Sequence, residues 1–286
     1  MNWQGVIPAI TTPFREDLSV DHDFLAKHAK WMLDNGCTGI VALGSLGEGA
    51  TLEFDEKLAV LQTLVRGMRA PVVAAISALS TDVAIRLAKN AERVGCSGLM
   101  VLPPYVYSTD WREMKAHMSA VIRATKLSCM LYNNPIAYRT DFLPEQVAEL
   151  AEEHDNLHAV KESAADVRRV TSLRSLLGER LAIFVGVDDL IIEGIAAGAV
   201  GWIAGLVNAM PKESVALFNG KDIYSWFLPL LRMDTVPKFV QLIKLVQQEV
   251  GMGNERVRGP RLALEGAERE EAVRTIHRAL NSRPKL

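Results

Sequence analysis

The segment Leu157-His158-Ala159-Val160-Lys161-Glu162-Ser163 is short and apolar, and it carries one lysine near its C-terminal end. Segments of this kind alternate along the chain with longer amphipathic ones, a pattern typical of a parallel sheet wrapped in helices. An ammonium group inside such a sheet loses hydration, which usually lowers its pKa. Lys161 is therefore a candidate amine nucleophile for a carbonyl substrate. The alternative is an ordinary lysine at a strand end whose ammonium reaches solvent.

Working outward from this segment, the hydrophobic pattern predicts eight strand–helix units. Eight units at this chain length are what an α/β fold of the (β/α)8 TIM-barrel type needs. We predict a barrel over residues 1–224 and an all-helical C-terminal extension over 225–286, with helices near 237–250, 258–264 and 268–280. The predicted strands are 5–11, 38–43, 71–77, 98–102, 128–132, 157–163, 181–185 and 199–204.

Composition excludes several classes of protein. A net charge of -2 gives no reason to expect a nucleic-acid partner or an anionic membrane surface. The three cysteines lie far apart, which favours free thiols in a reducing compartment. The first residues do not show the basic segment followed by an apolar segment that is typical of a signal peptide. No apolar run reaches the ~18 residues that a membrane-spanning helix needs. We therefore expect a soluble cytoplasmic protein with no membrane partner.

Metal and cofactor chemistry is not indicated. The six histidines do not gather at strand ends. His154 and His158 are four residues apart, but the Asp155-Asn156 pair between them indicates a turn, so the helical HExxH geometry is absent. Asp188 and Asp189 are interpreted as the N-cap region of the following helix. We predict no metal site and no cofactor.

Candidate catalytic residues come from strand ends, because barrel active sites lie where strands end and βα loops begin. Tyr132 ends strand five, next to the Lys161 strand, so the phenol and the amine could face one another as acid/base partners in imine chemistry. The alternative for Tyr132 is a packed aromatic residue. The other residues at these positions are Thr11, Thr12, Ser45, Tyr105, Tyr107, Asn133, Asn134, Gly186 and Ile203.

The loop Gly44-Ser45-Leu46-Gly47-Glu48-Gly49 follows strand two directly. Its three glycines let backbone N–H groups approach a ligand closely. The pattern is neither GxGxxG nor a Walker sequence, so a nucleotide site is weakly supported. A small anion such as a carboxylate fits better.

Three ordered motifs carry a family resemblance: Gly44-x-x-Gly47-Glu48, Tyr132-Asn133-x-Pro135 and Val160-Lys161-Glu162. With them, the chain resembles the dihydrodipicolinate synthase/N-acetylneuraminate lyase family of class I aldolase-like barrels over nearly its whole length.

The resemblance implies a Schiff base between Lys161 and a small 2-oxo acid, with Tyr132 as proton shuttle. It places the substrate carboxylate on the backbone N–H groups of Ser45 and Leu46. Tyr105, or alternatively Tyr107, would be a catalytic tyrosine supplied across a subunit interface, which implies a homotetramer built as a dimer of dimers. Further substrate-binding residues would be Gly186, Ile203 and Asn134.

Two departures bear on the reaction. Synthases of the family have a second hydroxyl residue where this chain has Leu46, and their arginine for a second carboxylate would lie near Ala137, where it is missing. Arg139, two residues on, is the candidate to substitute for it. The motifs look more like the dehydratase and deaminase branch, which acts on 2-keto-3-deoxy sugar acids or 1-pyrroline-4-hydroxy-2-carboxylate.

The sequence therefore predicts a Schiff-base lyase that dehydrates or deaminates a 4-hydroxy substrate. Once Lys161 holds C2 as an iminium, loss of a C3 proton leads to elimination, whereas loss of the 4-hydroxyl proton leads to cleavage. A first alternative is a pyruvate-dependent aldolase or dihydrodipicolinate synthase-like condensation. A second is a non-catalytic protein that binds a 2-oxo acid.

Overall fold

The computed structural model describes residues 1–106 and 110–286 of the chain. Eight parallel strands form one sheet in the order β1-β8-β7-β6-β5-β4-β3-β2, which confirms the predicted (β/α)8 barrel. The strands are β1 Gly5–Pro8, β2 Ile40–Ala42, β3 Val72–Ile76, β4 Gly98–Val101, β5 Ser128–Asn133, β6 Leu157–Glu162, β7 Ala182–Val185 and β8 Gly201–Ala204.

The barrel closes between β1 and β2 through a few contacts at both ends of the seam. The Thr38 N–H donates to the Val6 carbonyl at 2.9 Å, and the Ile10 N–H donates to the Val41 carbonyl at 2.9 Å. Ala9 also forms a parallel bridge to Val41. Pro8 has no N–H to donate to a neighbouring strand, and β1 ends there. Pairing with β2 resumes one residue later, at Ala9.

Helices follow the strands and cover the outside of the barrel. Acidic or hydroxyl side chains begin several of them: Asp21 accepts from the Phe24 N–H and Asp110 from the Glu113 N–H. The helices are α1 His22–Asp34, α2 Phe54–Gly67, α3 Thr81–Val94, α4 Trp111–Arg123, α5 Pro135–Tyr138, α6 Pro144–Glu153, α7 Arg168–Leu177, α8 Ile191–Ala196, α9 Pro211–Phe218, α10 Tyr224–Leu231, α11 Phe239–Glu249 and α12 Gly266–Asn281.

The C-terminal extension differs from the prediction in two places. Residues 258–264 are not helical, because the Gly259-Pro260 pair interrupts them and the Arg258 guanidinium holds the segment on the Leu18 carbonyl and Glu56. Helix α10 was missed, and Pro229 lies inside it. Its first residue is Tyr224, so the proposed domain boundary at 224/225 falls at its start and stays a prediction.

Helix α11 brings the extension onto the C-terminal ends of the strands. The Thr11 hydroxyl, beyond β1, donates to the Gln247 side chain at 2.9 Å. The Lys244 ammonium pairs with Glu48 of the glycine-rich loop at 2.5 Å, and both side chains are buried. Strand, loop and extension therefore meet at the end of the barrel where active sites form. Among the described residues, no helix combines the length and apolar character that crossing a membrane requires.

Candidate active site

Lys161 and Tyr132 lie side by side at the C-terminal ends of β6 and β5. The ladder aligns them as register partners, and the Lys161 Nζ lies 4.1 Å from the centroid of the Tyr132 ring. Lys161 is 6% exposed and Tyr132 is 4% exposed. The amine is therefore held inside the barrel mouth against the phenol. The alternative, a strand-end lysine whose ammonium reaches solvent, does not describe this side chain.

Burial lowers the pKa of Lys161 to about 8, although the carboxylates of Asp234 and Asp188 act in the opposite direction. A neutral amine carries the lone pair that attacks a carbonyl, so this pKa makes the nucleophilic form available near neutral pH. The same burial raises the pKa of Asp188 to about 6 and that of Asp234 well above its usual range.

Both carboxyl groups converge on Gly205, directly after β8. Asp188 accepts the Trp202 indole N–H at 2.9 Å and the Leu206 N–H at 2.8 Å. A Cβ on Gly205 would lie 2.0 Å from Asp234 Oδ1. Asp188 and Asp189 lie in the first turn of the helical segment after β7, as predicted, but the Asp188 side chain is directed to the β8 loop and makes no cap hydrogen bond.

The glycine-rich loop after β2 has the backbone geometry of an anion site. The N–H groups of Ser45 and Leu46 make no hydrogen bond to any described residue, and the Leu46 side chain is buried in the core. Glu48 has φ 52°, and a Cβ on Gly49 would lie 2.0 Å from the Leu43 carbonyl oxygen. This tight turn leaves two adjacent N–H groups without a partner among the described residues, as a carboxylate site needs.

Gly186 and Ser163 line the wall beside the lysine. A Cβ on Gly186 would lie 1.9 Å from Ser163 Oγ and 2.6 Å from Lys161 Cε, so only glycine fits. The buried Ser163 hydroxyl has no hydrogen-bond partner among the described residues. Ile203, on β8, is 1% exposed. An unpaired buried hydroxyl beside the amine is a natural partner for a substrate oxygen.

Asn134 supports the phenol from the loop that follows β5. Its side-chain amide donates to the Tyr132 hydroxyl at 2.9 Å, and its carbonyl oxygen accepts the Ala137 N–H at the start of α5. Burial raises the pKa of Tyr132 to about 12, although the side chains of Asn134, Ser163 and Ser45 each act to lower it. Asn134 was predicted to bind substrate, and its observed contacts position the catalytic candidate.

Tyr138, at the end of α5, is a site residue that the sequence analysis missed. Its hydroxyl is hydrogen-bonded to Ser45 Oγ, and its ring lies perpendicular to that of Tyr132 with centroids 6.0 Å apart. Tyr105 packs against Tyr138, with 5.7 Å between the ring centroids. Tyr107, the alternative to Tyr105, lies outside the described residues. Strand-end reasoning could not find Tyr138, because this residue lies beyond the end of the strand and reaches Ser45 through the short helix α5.

The short helix α5 also contains Ala137, the position near which family synthases have the arginine for a second carboxylate. Ala137 is exposed within α5, and Arg139 follows the helix in a left-handed conformation with φ 60°. Residues 135–138 are helical and not extended, so the strand geometry in which Ala137 and Arg139 would share a face does not apply. Arg139 is exposed.

Comparison with known proteins gives one consistent result. The sequence model of the dihydrodipicolinate synthetase family matches residues 2–279. A 4-hydroxy-tetrahydrodipicolinate synthase of Agrobacterium fabrum is 32% identical over 269 residues, which is 90% of this chain and 92% of that protein. The enzyme of the same name from Geotalea daltonii is 30% identical, over 95% of this chain and 97% of its own.

Solved structures of dihydrodipicolinate synthases have the same fold as this chain. A dihydrodipicolinate synthase crystal structure superposes with a TM-score of 0.91 at 29% identity, covering 98% of this chain and 99% of that one. The chloride-inhibited dihydrodipicolinate synthase of Acinetobacter baumannii, complexed with pyruvate, gives a TM-score of 0.90 at 29% identity and covers 96% and 98%. These names agree with the alternative prediction, condensation with pyruvate, better than with the dehydratase or deaminase interpretation.

Proposed function

The chain belongs to the dihydrodipicolinate synthetase family, and from that premise we propose that it is a class I enzyme whose Lys161 forms a Schiff base with a small 2-oxo acid such as pyruvate. The observation that carries the proposal is the buried Lys161 amine, 4.1 Å from the centroid of the Tyr132 ring at the C-terminal end of the barrel. A non-catalytic binding protein has no need of a buried amine held against a phenol.

The residues suggest a sequence of events. The substrate carboxylate would accept hydrogen bonds from the Ser45 and Leu46 N–H groups, which places C2 toward Lys161. The neutral amine attacks C2, and the former carbonyl oxygen becomes a hydroxyl. Tyr132 donates a proton to that hydroxyl, which leaves as water, and the C2–N bond becomes an iminium. The Tyr132 phenolate then takes a proton from C3, and the iminium accepts the electrons of that C3–H bond to give an enamine.

For the enamine's fate, the relatives support condensation. Enzymes named 4-hydroxy-tetrahydrodipicolinate synthase match 90% and more of this chain, so we propose addition of the enamine C3 to an aldehyde acceptor, with pyruvate as donor. Cleavage to pyruvate is the reverse of the same step.

A specific observation keeps dehydration or deamination as a second candidate. Leu46 is buried and carries no hydroxyl, and residues 135–138 form a helix whose exposed Ala137 stands where a guanidinium would hold a second carboxylate. An acceptor with a second carboxylate would lack that partner. A 2-keto-3-deoxy sugar acid or 1-pyrroline-4-hydroxy-2-carboxylate does not require it.

Borohydride reduction tests the common step. The reductant converts an iminium into a stable secondary amine, so intact mass should rise by one reduced pyruvate, located on Lys161 by peptide mapping. Lys161→Ala should give no adduct, and Lys221→Ala, which removes an exposed lysine, should behave as wild type. An unmodified wild-type chain would overturn the proposal and favour a binding protein.

Product analysis then separates the two candidates. Pyruvate with an aldehyde acceptor yields an aldol product if condensation is the reaction. A panel of 2-keto-3-deoxy acids and the hydroxypyrroline carboxylate yields dehydrated or deaminated 2-oxo acids if elimination is the reaction. The predicted homotetramer and cytoplasmic location stay predictions, and native mass measurement tests the former.

A further inference from the structure

The C-terminal extension places a carboxyl group, that of Asp234, on the inner face of the barrel mouth. Lys161, Phe184 and Gly201 are register partners on β6, β7 and β8, so their side-chain positions share the inner face. Alternation along β8 adds Gly205, which follows the strand directly, to that face. A Cβ on Gly205 would lie 2.0 Å from Asp234 Oδ1 and 2.4 Å from Asp234 Cγ. The carboxyl group therefore fills the space that a side chain at position 205 would take.

The turn that carries Asp234 is held on both sides. Met233 is buried in the core. Arg232 Nε lies 3.7 Å from Asp189 Oδ2, and the Thr235 hydroxyl donates to the Arg232 carbonyl at 3.0 Å. The Asp234 carboxyl group itself makes no hydrogen bond to the described residues, and Asp234 is partly exposed. Its backbone is therefore fixed by the protein, whereas its oxygens stay free for a ligand.

Asp234 differs from Asp188, the second carboxyl group at Gly205. Asp188 accepts the Trp202 indole N–H at 2.9 Å and the Gly205 N–H at 3.1 Å, so the protein already uses its oxygens. Asp234 has no such donors, and it raises the pKa of Lys161 more than Asp188 does. Burial, reinforced by the charge of Asp188, raises the pKa of Asp234. A carboxyl group that keeps its proton and has no protein partner can donate that proton to a substrate oxygen.

The open part of the inner wall directs the substrate toward Asp234. In the proposed complex the substrate carboxylate lies at the loop after β2, and C2 lies at Lys161 on β6, four strands away on the opposite side of the barrel. The β5 side of the lysine is filled by the Tyr132 ring. The β7 and β8 sides present Gly186 and Gly205, which carry no side chain. The carbons beyond C3 therefore extend along these two glycines, toward the Asp234 carboxyl group.

We propose that Asp234 is a further catalytic residue, the acid that gives a proton to the oxygen on C4 of the Lys161-bound substrate. The proposal rests on the proposed Schiff-base function and deepens it. In condensation, the enamine C3 bonds to the aldehyde carbon, which becomes C4, and the aldehyde oxygen takes the Asp234 proton to become the 4-hydroxyl. In elimination, the enamine electrons form a C3–C4 double bond and restore the iminium, and the 4-hydroxyl takes the proton and leaves as water. The water that hydrolyses the iminium at C2 then returns a proton to the Asp234 carboxylate.

Pyruvate has no C4, so it separates the acid from the Schiff base. Asp234→Asn keeps the shape of the side chain and removes the carboxylic proton. Borohydride adduct formation with pyruvate should stay within about three-fold of wild type, because that step does not need Asp234. Turnover should fall by about 10²-fold or more, in kcat more than in KM. The probes are 2-keto-3-deoxygluconate, 1-pyrroline-4-hydroxy-2-carboxylate, and pyruvate with an aldehyde acceptor.

Controls distinguish an acid from a packing residue or a counter-ion of the lysine. Asp222→Asn removes an exposed carboxylate of the same extension and should leave every rate unchanged. Formate should partly restore turnover in Asp234→Ala, because a small acid fits the space that the side chain leaves, and should have little effect on wild type. If elimination is the reaction, a 4-fluoro analogue of 2-keto-3-deoxygluconate should lose fluoride at similar rates in Asp234→Asn and wild type, since fluoride leaves without a proton.

The outcomes separate the two proposals. Normal adduct formation with slow turnover in Asp234→Asn supports the acid. Wild-type turnover in Asp234→Asn, or an equal loss of adduct formation and turnover without rescue of Asp234→Ala by formate, overturns the acid and leaves the Schiff base in place. A wild-type chain that forms the adduct but converts none of the probes also overturns the acid. A wild-type chain that forms no adduct overturns both.

Discussion

Replacing Gly186 by alanine should damage the active site from behind the lysine. The added Cβ would lie 1.9 Å from Ser163 Oγ, 2.6 Å from Lys161 Cε and 2.8 Å from Lys161 Cγ, all far inside van der Waals contact. The backbone cannot retreat freely, because the Gly186 N–H donates to the Glu162 carbonyl at 2.9 Å and extends the β6–β7 pairing. The side chains must therefore move.

The expected magnitude follows from these contacts. Overpacking a well-filled interior by one methyl group costs about 1–3 kcal/mol of unfolding free energy. The Lys161 stem must shift by a large part of an ångström to clear the methyl, and misplacing a reacting group by about 1 Å can reduce the rate by roughly 10². We therefore expect a folded, moderately destabilised protein whose adduct formation is slowed far more than its stability suggests.

Two measurements check this expectation together. Urea unfolding gives the stability loss, and the initial rate of pyruvate adduct formation gives the effect on Lys161. Gly67→Ala is the matched control: its Cβ would meet only the Ala26 Cβ at 3.8 Å, so it should be neutral or stabilising by up to about 1 kcal/mol.

A double variant locates the source of the damage. In Ser163→Ala/Gly186→Ala the clash of the new Cβ with Ser163 Oγ is gone, while both clashes with Lys161 remain. The unfolding free energy should therefore recover in part, whereas the rate of adduct formation should not. A Gly186→Ala enzyme with wild-type stability and wild-type adduct formation would refute the close packing of Gly186 on the lysine.

Three further predictions concern buried charges. Because burial lowers the pKa of Lys161 to about 8, the rate of adduct formation should rise with pH and reach half its maximum near pH 8; a rate still climbing steeply at pH 10 would contradict this. Lys244→Met leaves the Glu48 carboxylate buried without its ammonium and should cost about 3–5 kcal/mol in urea unfolding, part of which Glu48→Gln in the same chain should restore; a loss under about 1 kcal/mol would show the pair to be unimportant. Burial raises the pKa of Glu162 from 4.5 to about 7, so its contribution to stability is complete below pH 4.5 and is lost as pH rises through 7, on the order of 3 kcal/mol in all. Glu162→Gln cannot ionise and should flatten the fall in unfolding free energy between pH 5 and pH 8, and an unchanged slope would count against this assignment.

The sequence alone predicted the barrel and the placement of Lys161 next to Tyr132. Alternation of short apolar strands with amphipathic helices is a local property, and eight repeats of it leave one closed parallel arrangement. Lys161 and Tyr132 could be paired because neighbouring strands of a parallel barrel end at the same rim. The structure adds their register, because Tyr132 lies opposite Lys161 only through a one-residue irregularity of the pairing between Cys129 and Met130.

Only the tertiary structure decided what surrounds these two groups. The Asp234 side chain of the extension lies against Gly205, and Ser163, after β6, packs against Gly186, after β7. The Tyr138 hydroxyl is bonded to Ser45, 93 positions away in the sequence. Such contacts depend on how loops fold back over the rim. No local periodicity encodes them, because a loop's path is set by the packing and hydrogen bonds it finds once the barrel has formed.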